Sequence, residues 1–343
     1  MNLATFKIIK RKDLPKGSNL IDTGFIHKLK TTGDSSEDFA KSRLVGRGYD
    51  QKFGIDFFES YSSTIDPVVI RAMVALSVQK IIPLVQADVE TAFLQANFKY
   101  KGEVVFSRPP PGFKLGYQWV GNTPWWDNDN EIAFQWLKPT YGFVQAGNAW
   151  NHCLGNILTS LGFTQQKEVD PCLFVKKSEN KITHILAYHV DDALIMGSGG
   201  DKIVTQISKL VPMKNLGRPT KFLGVEFKYY PGGNLKLHKR SYLNELFDRF
   251  PVDKTKQSPT ASFRLNSAGE PLSPNAPYRE AVGGLLWAAI MTRPEIMYSV
   301  LQLAQFSSNP KTHHWGGIEQ VLMYLKGILI LALALKGLTT QPN

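Results

Sequence analysis

Cysteine, acidic residues and long apolar runs are all scarce in this chain of 343 residues. Its two cysteines, Cys153 and Cys172, exclude a disulfide-rich scaffold and a cysteine-rich zinc site, and they fit a reducing compartment. The N-terminus lacks the apolar segment of a secretory signal, so we do not expect one. The most apolar tract near the C-terminus, residues 327–335, is far shorter than the about 20 residues of a membrane-spanning helix. We expect this tract to form a buried core helix.

The shortage of acidic residues leaves the chain strongly basic. Lys and Arg number 40 against 29 Asp and Glu, which gives a formal net charge of +11. This excess predicts an anionic partner, and nucleic acid is the usual partner of a basic soluble chain. A solvated basic surface is the alternative. The 43% of hydrophobic and 20% of charged residues are typical of globular proteins, and the length predicts two or three domains.

Hydrophobic patterning predicts a mixture of strands and helices, without internal repeats. Alternating apolar and polar residues predict strands at 25–30 and around 43–45, with a hairpin loop at 31–38 between them. Further strands are expected at 83–89, 172–176, 182–189 and 193–196, and helices at 67–79, 146–161, 201–210 and 241–250, with another starting at 90–96. The remaining segments read as an irregular loop at 101–131, a linker at 270–277, and a helix-rich region at 278–335 that is interrupted at 292–294.

An acidic pair, Asp191 and Asp192, stands between two apolar stretches that favour strands. Two carboxylates at a hairpin tip are costly unless a partner offsets their charge, and Mg²⁺ binds such hard oxygen ligands. A solvated Asp-Asp turn is the alternative.

A third acid, Asp88, ends the predicted strand 83–89 and precedes a helix-like segment. Three acids at two strand ends can converge on a pair of metal ions for phosphoryl transfer. The alternative role of Asp88 is to cap the helix that follows it.

Seven sequence blocks follow one another along the chain, and two of them contain these three acids. They are KSRLVGRGYDQKFGIDFFESYS (41–62), QADVETAFLQA (86–96), RPPPGF (108–113), LKPTYGFVQAGNAW (137–150), YHVDDALIMGS (188–198), KFLGVEF (221–227) and YREAVGGLLWAAIMTRPEIMYSVLQLAQFSSNPKTHHW (278–315). With them the chain resembles the reverse transcriptase of copia-type (Ty1/copia) LTR retrotransposons, from about residue 4 to about residue 330. In the order given, the seven blocks look like seven segments of the family. These are the fingers segment, the first catalytic block, the loop after that block, the nucleotide-positioning block, the second catalytic block, the primer-grip turn and the segment leading to the ribonuclease H domain.

The resemblance implies an α+β right-hand polymerase fold of fingers, palm and thumb. The palm is expected to be an antiparallel sheet backed by helices, with a helix-rich C-terminal connection segment. Fingers and palm are expected at residues 4–230, a thumb-like region and linker at 231–277, and the connection segment at 278–335. We expect a fragment of a longer Pol polyprotein, with the protease, integrase and ribonuclease H segments absent.

The resemblance also implies a reaction, namely RNA- or DNA-templated DNA synthesis from deoxynucleoside triphosphates with two Mg²⁺ ions, Mn²⁺ being the alternative metal. The catalytic acids are then Asp88, Asp191 and Asp192. Asp88, Asp191 and the carbonyl of Val89 are expected to bind the metals, while Asp192 is a weaker direct ligand.

Other residues match positions that the family places at the nucleotide and the primer. Those expected at the nucleotide are Lys41, Arg43, Phe93, Gly142 and Gln145, and those expected at the primer are His189, Leu223 and Gly224. Phe93 matches a steric gate against a ribose 2′-hydroxyl, with a core phenylalanine as the alternative. For Lys41 and Arg43 the alternative is solvated charge on a strand surface.

The partners implied are an RNA or DNA template with its primer strand and deoxynucleoside triphosphates, without a membrane. The sequence does not indicate an oligomeric state. Kinship implies cytoplasmic particles, with the nucleus as an alternative location.

The chain departs from the family pattern at two places. His189 stands where the family has Tyr before Val-Asp-Asp, and Val144, Gly147 and Asn148 replace two cations and a Pro. These departures leave open a catalytically degenerate remnant that only binds nucleic acid. A metal-dependent phosphohydrolase using the same acids, with His189 as its base, is a third hypothesis.

Overall fold

The computed structural model describes residues 4–30, 39–100, 103–111, 132–260, 266–329 and 333–336. Its strands are β1 (Phe6–Lys10), β2 (Leu20–Ile21), β3 (Thr23–Lys30), β4 (Phe39–Gly46), β5 (Leu84–Val89), β6 (Phe106–Ser107), β7 (Ile132–Trp136), β8 (Phe163–Gln165), β9 (Leu173–Ser178), β10 (Lys181–His189), β11 (Asp192–Met196), β12 (Met213–Gly217), β13 (Lys221–Phe222), β14 (Val225–Tyr229), β15 (Leu235–His238) and β16 (Leu333–Leu335). Its helices are α1 (Pro67–Lys80), α2 (Ala92–Gln95), α3 (Ala146–Ser160), α4 (Gly200–Ser208), α5 (Arg240–Arg249), α6 (Tyr278–Met291), α7 (Met297–Ala304) and α8 (Thr312–Gly327). The predicted α+β class is confirmed.

The chain forms two compact units. The first comprises Met1–Ile65, Ala87–Ile195 and Gly199–Asn215, and the second comprises Asp66–Gln86, Met196–Ser198 and Leu216–Asn343. The functional division expected at residues 230 and 277 stays a prediction. No helix within the described ranges is long and apolar enough to cross a membrane.

The first unit contains a hairpin and two larger sheets. Strands β3 and β4 pair antiparallel from Thr23↔Gly46 to Lys30↔Phe39, as the alternating pattern predicts. The loop expected at 31–38 lies outside the described residues, as does most of 101–131. A four-stranded sheet has the order β1-β7-β6-β2, and a six-stranded sheet has the order β12-β5-β11-β10-β9-β8. Strands β5, β11 and β12 continue along the chain into the second unit.

Helix α3 buries one apolar stripe, as its 3.6-residue spacing predicts. Ala149, Trp150, Leu154 and Leu158 are buried along it. The amphipathic pattern therefore specifies which side of α3 faces the protein, and it places Trp150 in the interior.

The second unit combines a sheet of order β13-β14-β15-β16 with helices packed around an apolar core. Leu285, Val300, Ile318 and Leu325 are fully buried in this core. The expected interruption is present, because α6 ends at Met291 and a 3-10 turn occupies Pro294–Ile296. Proline lacks the N–H that a continuing helix needs.

The prediction of a core helix at 327–335 is wrong. Helix α8 ends at Gly327, and Leu333–Leu335 form β16, which pairs antiparallel with β15. A short apolar run fits either a buried helix or a strand. Here residues 333–335 form a strand because they pair with β15 in the sheet of the second unit.

Candidate active site

The acidic pair lies at a strained turn between β10 and β11. Val190 has φ 58, which is a left-handed conformation that a β-branched residue rarely adopts. The indole Nε1 of Trp150, which is 0% exposed, donates a hydrogen bond of 2.6 Å to the Val190 carbonyl. Strain of this kind persists where the surrounding structure holds it, and it is often found at functional sites. Helix α3 therefore holds the turn that carries Asp191.

Replacing Trp150 with Phe tests this support. Phenylalanine retains an aromatic ring but leaves the Val190 carbonyl without its buried donor, which costs about 1–3 kcal/mol of unfolding free energy. Because a small misplacement of the turn moves Asp191, we expect templated primer extension to fall roughly 10- to 100-fold. Urea unfolding and primer extension measure the two effects. Trp315→Phe is the matched control, since it removes an indole bond to Glu319 on α8 and should leave extension unchanged. Equal extension by Trp150→Phe and wild type would contradict the role of Trp150.

Asp88 lies beside this turn. The backbone N–H of Val89 donates a hydrogen bond of 2.8 Å to the carbonyl of Asp191, so the end of β5 lies next to the turn. The N-terminal cap of α2 is Thr91, at φ 51, and not Asp88. The alternative role of Asp88 as a helix cap is therefore wrong.

A cavity of about 480 Å³ brings opposite charges together in the first unit. Asp88, Val89 and Asp191 line it, and so do Lys41 and Arg43 of β4. Cations and carboxylates in one cavity can bind a phosphate chain and a divalent cation together. The structure thus brings together five of the residues predicted from the sequence.

Sequence reasoning missed Tyr141, which also lines this cavity. Its ring centroid lies 5.3 Å from Cζ of Arg43 and 5.1 Å from the ring of Phe93. Burial raises the pKa of the Tyr141 hydroxyl, Arg43 lowers it, and the charges of Asp191 and Asp88 raise it further. The signal was present in the sequence as an aromatic residue directly before Gly142, within the positioning block.

Gly142 and Gln145 shape the surroundings of the cavity without lining it. Gly142 has φ +87, and a β-carbon there would collide with the carbonyl oxygen of Gly46. Gln145 is 2% exposed, and its amide accepts from Gln51 and donates to the carbonyl of Asp56. Their direct contact with a nucleotide stays a prediction.

The departures from the family pattern at 144–148 also lie away from the cavity lining. The N–H of Val144 donates to the Gln51 side chain, and the amide of Asn148 donates to the carbonyl of Tyr61. A β-carbon at Gly147 would lie 2.7 Å from Oγ of Ser62. Val144 and Asn148 thus bind the segment around residues 51–62, and the absence of a β-carbon at Gly147 leaves room for Ser62 of that segment.

The remaining predicted residues are separate from this cavity. His189 and Asp192 are half-buried where β10 ends and β11 begins, and Phe93 packs against Tyr141. Leu223 and Gly224 belong to the second unit, where they form the turn between β13 and β14. Both have positive φ, 48 and 71, as two-residue hairpin turns favour.

The donor set fits a divalent cation that needs few protein ligands. Within the described ranges, no group of three or more His, Cys, Asp and Glu side chains is placed to hold a metal ion. Two carboxylates and the Val89 carbonyl suit Mg²⁺, which takes its remaining ligands from water and phosphate oxygens. Metal binding by Asp192, which does not line the cavity, stays a prediction.

Several known proteins are similar in sequence to this chain. A family model described as reverse transcriptase (RNA-dependent DNA polymerase) matches residues 4–262. The retrovirus-related Pol polyprotein from transposon TNT 1-94 of Nicotiana tabacum is 29% identical over an alignment of 338 residues, and the match covers 94% of this chain and 24% of that protein. The one from transposon RE1 of Arabidopsis thaliana is 32% identical over 322 residues, covering 91% of this chain and 21% of that protein.

A shorter relative and one solved structure are also similar. The putative transposon Ty5-1 protein of Saccharomyces cerevisiae is 28% identical over 245 residues, covering 69% of this chain and 74% of that protein. A foamy viral protease-reverse transcriptase solved with double-stranded DNA is 11% identical, with a TM-score of 0.48, covering 96% of this chain and 46% of that one. This chain spans about a quarter or less of the length of the two plant polyproteins. It belongs to the reverse transcriptase (RNA-dependent DNA polymerase) family, and it is of the copia retrotransposon type.

Proposed function

We propose that this chain is an RNA-directed DNA polymerase that transfers a deoxynucleotide from its triphosphate to a primer 3′-hydroxyl. One observation carries the proposal, namely the cavity in which Asp88 and Asp191 meet Lys41 and Arg43. Phosphoryl transfer needs positioning and electrostatic stabilisation more than covalent chemistry, and this set of residues supplies both.

Each residue of the cavity has a role in this proposal. The ammonium of Lys41 and the guanidinium of Arg43 donate to oxygens of the triphosphate. The carboxylates of Asp88 and Asp191 and the carbonyl of Val89 would hold the divalent cations, Mg²⁺ or Mn²⁺. When bound there, such cations would supply Lewis-acid activation of the primer hydroxyl and positive charge for the leaving pyrophosphate.

Phe93 is proposed to select deoxynucleotides. Phe93 does not line the cavity, but its ring packs on Tyr141, which does, and in this proposal it excludes a 2′-hydroxyl from there. Replacing Phe93 with Ala removes this bulk, so we expect ribonucleotide insertion relative to deoxynucleotide insertion to rise by about 10-fold or more. Single-nucleotide insertion of CTP against dCTP measures the ratio.

Phe98→Ala is the matched control for this substitution. Phe98 packs on the same apolar cluster as Phe93, so its truncation costs packing but should leave the ratio unchanged. An unchanged ratio in Phe93→Ala would assign Phe93 to the core instead.

The proposed partners are a primer strand and its RNA or DNA template. A net charge of +11 suits a duplex held mainly through its phosphates, with strong salt dependence and little sequence preference.

Primer extension by the purified chain tests the proposal. We expect incorporation of deoxynucleotides on a poly(rA) template with an oligo(dT) primer, dependent on Mg²⁺ and stopped by EDTA. Salt-sensitive duplex binding without extension would favour a degenerate remnant. Release of nucleoside monophosphates from the duplex would favour a phosphohydrolase. The cavity favours the polymerase, because Val144, Gly147 and Asn148 do not line it.

A further inference from the structure

Tyr141 contacts two groups of the candidate active site that come from different segments. Its ring centroid lies 5.3 Å from Cζ of Arg43 on β4. It also lies 5.1 Å from the ring of Phe93 on α2, at an interplanar angle of 67°. Tyr141 lines the cavity together with Asp88 and Asp191. One side chain therefore contacts both the arginine proposed to bind the triphosphate and the phenylalanine proposed to select the sugar.

The backbone of Tyr141 is fixed against the strand that carries Arg43. Its carbonyl accepts a hydrogen bond of 2.9 Å from the N–H of Gly46, the last residue of β4. Gly142 follows with φ +87, and a β-carbon there would collide with the carbonyl oxygen of Gly46. Because the two backbones approach so closely, the fold itself sets the position of the Tyr141 ring relative to Arg43.

The contact with Tyr141 restrains the guanidinium of Arg43. A long arginine side chain loses rotational freedom when it binds a phosphate, and its planar guanidinium stacks well on an aromatic face. Burial raises the pKa of the Tyr141 hydroxyl, while Arg43 lowers it through its charge and a hydrogen bond. Arg43 is half-buried, whereas Lys41 on the same strand is exposed. Of these two cations, Arg43 is therefore the one that Tyr141 holds in place before a triphosphate arrives.

The contact with Tyr141 also supports the ring of Phe93. On the core side, Phe93 packs against the apolar cluster that contains Trp136 and Phe143. Tyr141 meets it in the edge-to-face arrangement that aromatic pairs prefer. Without the Tyr141 ring, the ring of Phe93 would have room to turn away from the position in which it excludes a 2′-hydroxyl.

We infer that Tyr141 is a positioning residue that holds Arg43 toward the triphosphate and Phe93 toward the sugar of the incoming nucleotide. The inference rests on the proposed function and adds to it a link between triphosphate binding and sugar selection. Since one side chain supports two groups, loss of the Tyr141 ring should impair both functions. Loss of Arg43 or of Phe93 should impair only one.

Binding of dTTP to a complex that cannot react tests the first function. The complex contains poly(rA), a dideoxy-terminated oligo(dT) primer and Mg²⁺, and calorimetry gives the dissociation constant. Tyr141→Leu should raise this constant roughly 3- to 30-fold, because it removes the aromatic face and the hydroxyl beside Arg43. In an Arg43→Gln background it should have no further effect, since it acts through Arg43. In a Lys41→Gln background its full effect should remain.

Insertion of CTP against dCTP tests the second function. Tyr141→Leu should raise the ratio of ribonucleotide to deoxynucleotide insertion roughly 3- to 10-fold. In a Phe93→Ala background it should add nothing, because the group that it supports is gone. In the Arg43→Gln background the rise should persist, since sugar selection does not depend on that cation.

Tyr141→Phe and Tyr298→Leu are the controls. Phenylalanine keeps the ring beside Arg43 and Phe93, so Tyr141→Phe should recover most of the dTTP affinity and the whole of the sugar selection. Tyr298 lies on α7 and is 66% exposed, so the same change to Leu there should alter neither measurement. Tyr141 is itself only half-buried, so Tyr141→Leu should remain folded, and urea unfolding checks this.

The outcomes separate this inference from the proposed function. Wild type that binds dTTP with the expected coupling between Tyr141 and Arg43, but does not extend a primer, supports the inference and overturns the polymerase proposal. Wild type that binds no dTTP overturns both. An equal loss of affinity from Tyr141→Leu with and without Arg43 would mean that Tyr141 touches the nucleotide directly, and it overturns the inference alone. So does a loss of stability in Tyr141→Leu with unchanged dTTP affinity and unchanged sugar selection.

Discussion

Replacing Asp191 with Asn is expected to lower primer extension by roughly 10²- to 10³-fold. The substitution preserves size and removes one of the two aspartate carboxylates that line the cavity with Lys41 and Arg43. An amide oxygen is a much poorer ligand for a divalent cation than a carboxylate, so the loss falls on the chemical step. Duplex affinity should change little, because phosphate contacts elsewhere dominate it.

Asp88→Asn should have a similar effect, since both carboxylates serve one site. Groups that act as a unit are not additive, so the double substitution should cost little more than either single one. Asp248→Asn, at an exposed residue of α5, is the matched control and should retain full extension. Extension by Asp191→Asn equal to that of wild type would refute the enzymatic proposal.

The second large effect is expected from Gly142→Ala, on the stability of the first unit. Gly142 has φ +87, and its missing β-carbon leaves room for the carbonyl oxygen of Gly46. The left-handed conformation alone costs alanine about 1–2 kcal/mol. A collision with backbone cannot be relieved by a rotamer change, so we expect a total loss of about 3–5 kcal/mol of unfolding free energy.

Gly17→Ala separates the two contributions. Gly17 has a similar φ of +89, but a β-carbon there would meet no atom within 4 Å. It should lose only the conformational part, about 1–2 kcal/mol. Urea unfolding of both variants measures the difference, and equal losses would mean that the approach of Gly142 to Gly46 is unimportant. Since Tyr141 lines the cavity, Gly142→Ala should also lower primer extension.

Sequence periodicity predicts a helix or strand correctly where the element has one buried side and one exposed side. Strands β3 and β4 and helix α3 follow from patterns of two and 3.6 residues, because each element has one buried side. The helix expected at 90–96 is reduced to Ala92–Gln95. An apolar run without periodicity, such as the tract 327–335, fits either a helix or a strand, and only the pairing of Leu333–Leu335 with β15 distinguishes them.

Sequence by itself determined the family, the α+β class and five residues of the cavity, because ordered blocks and acids at strand ends carry that information locally. Only the tertiary structure showed that Tyr141 lines the cavity and that Trp150 holds the Val190 carbonyl. The physical reason is that each of these roles depends on an atom contributed by a segment distant in sequence. No pattern within one segment specifies such a contact.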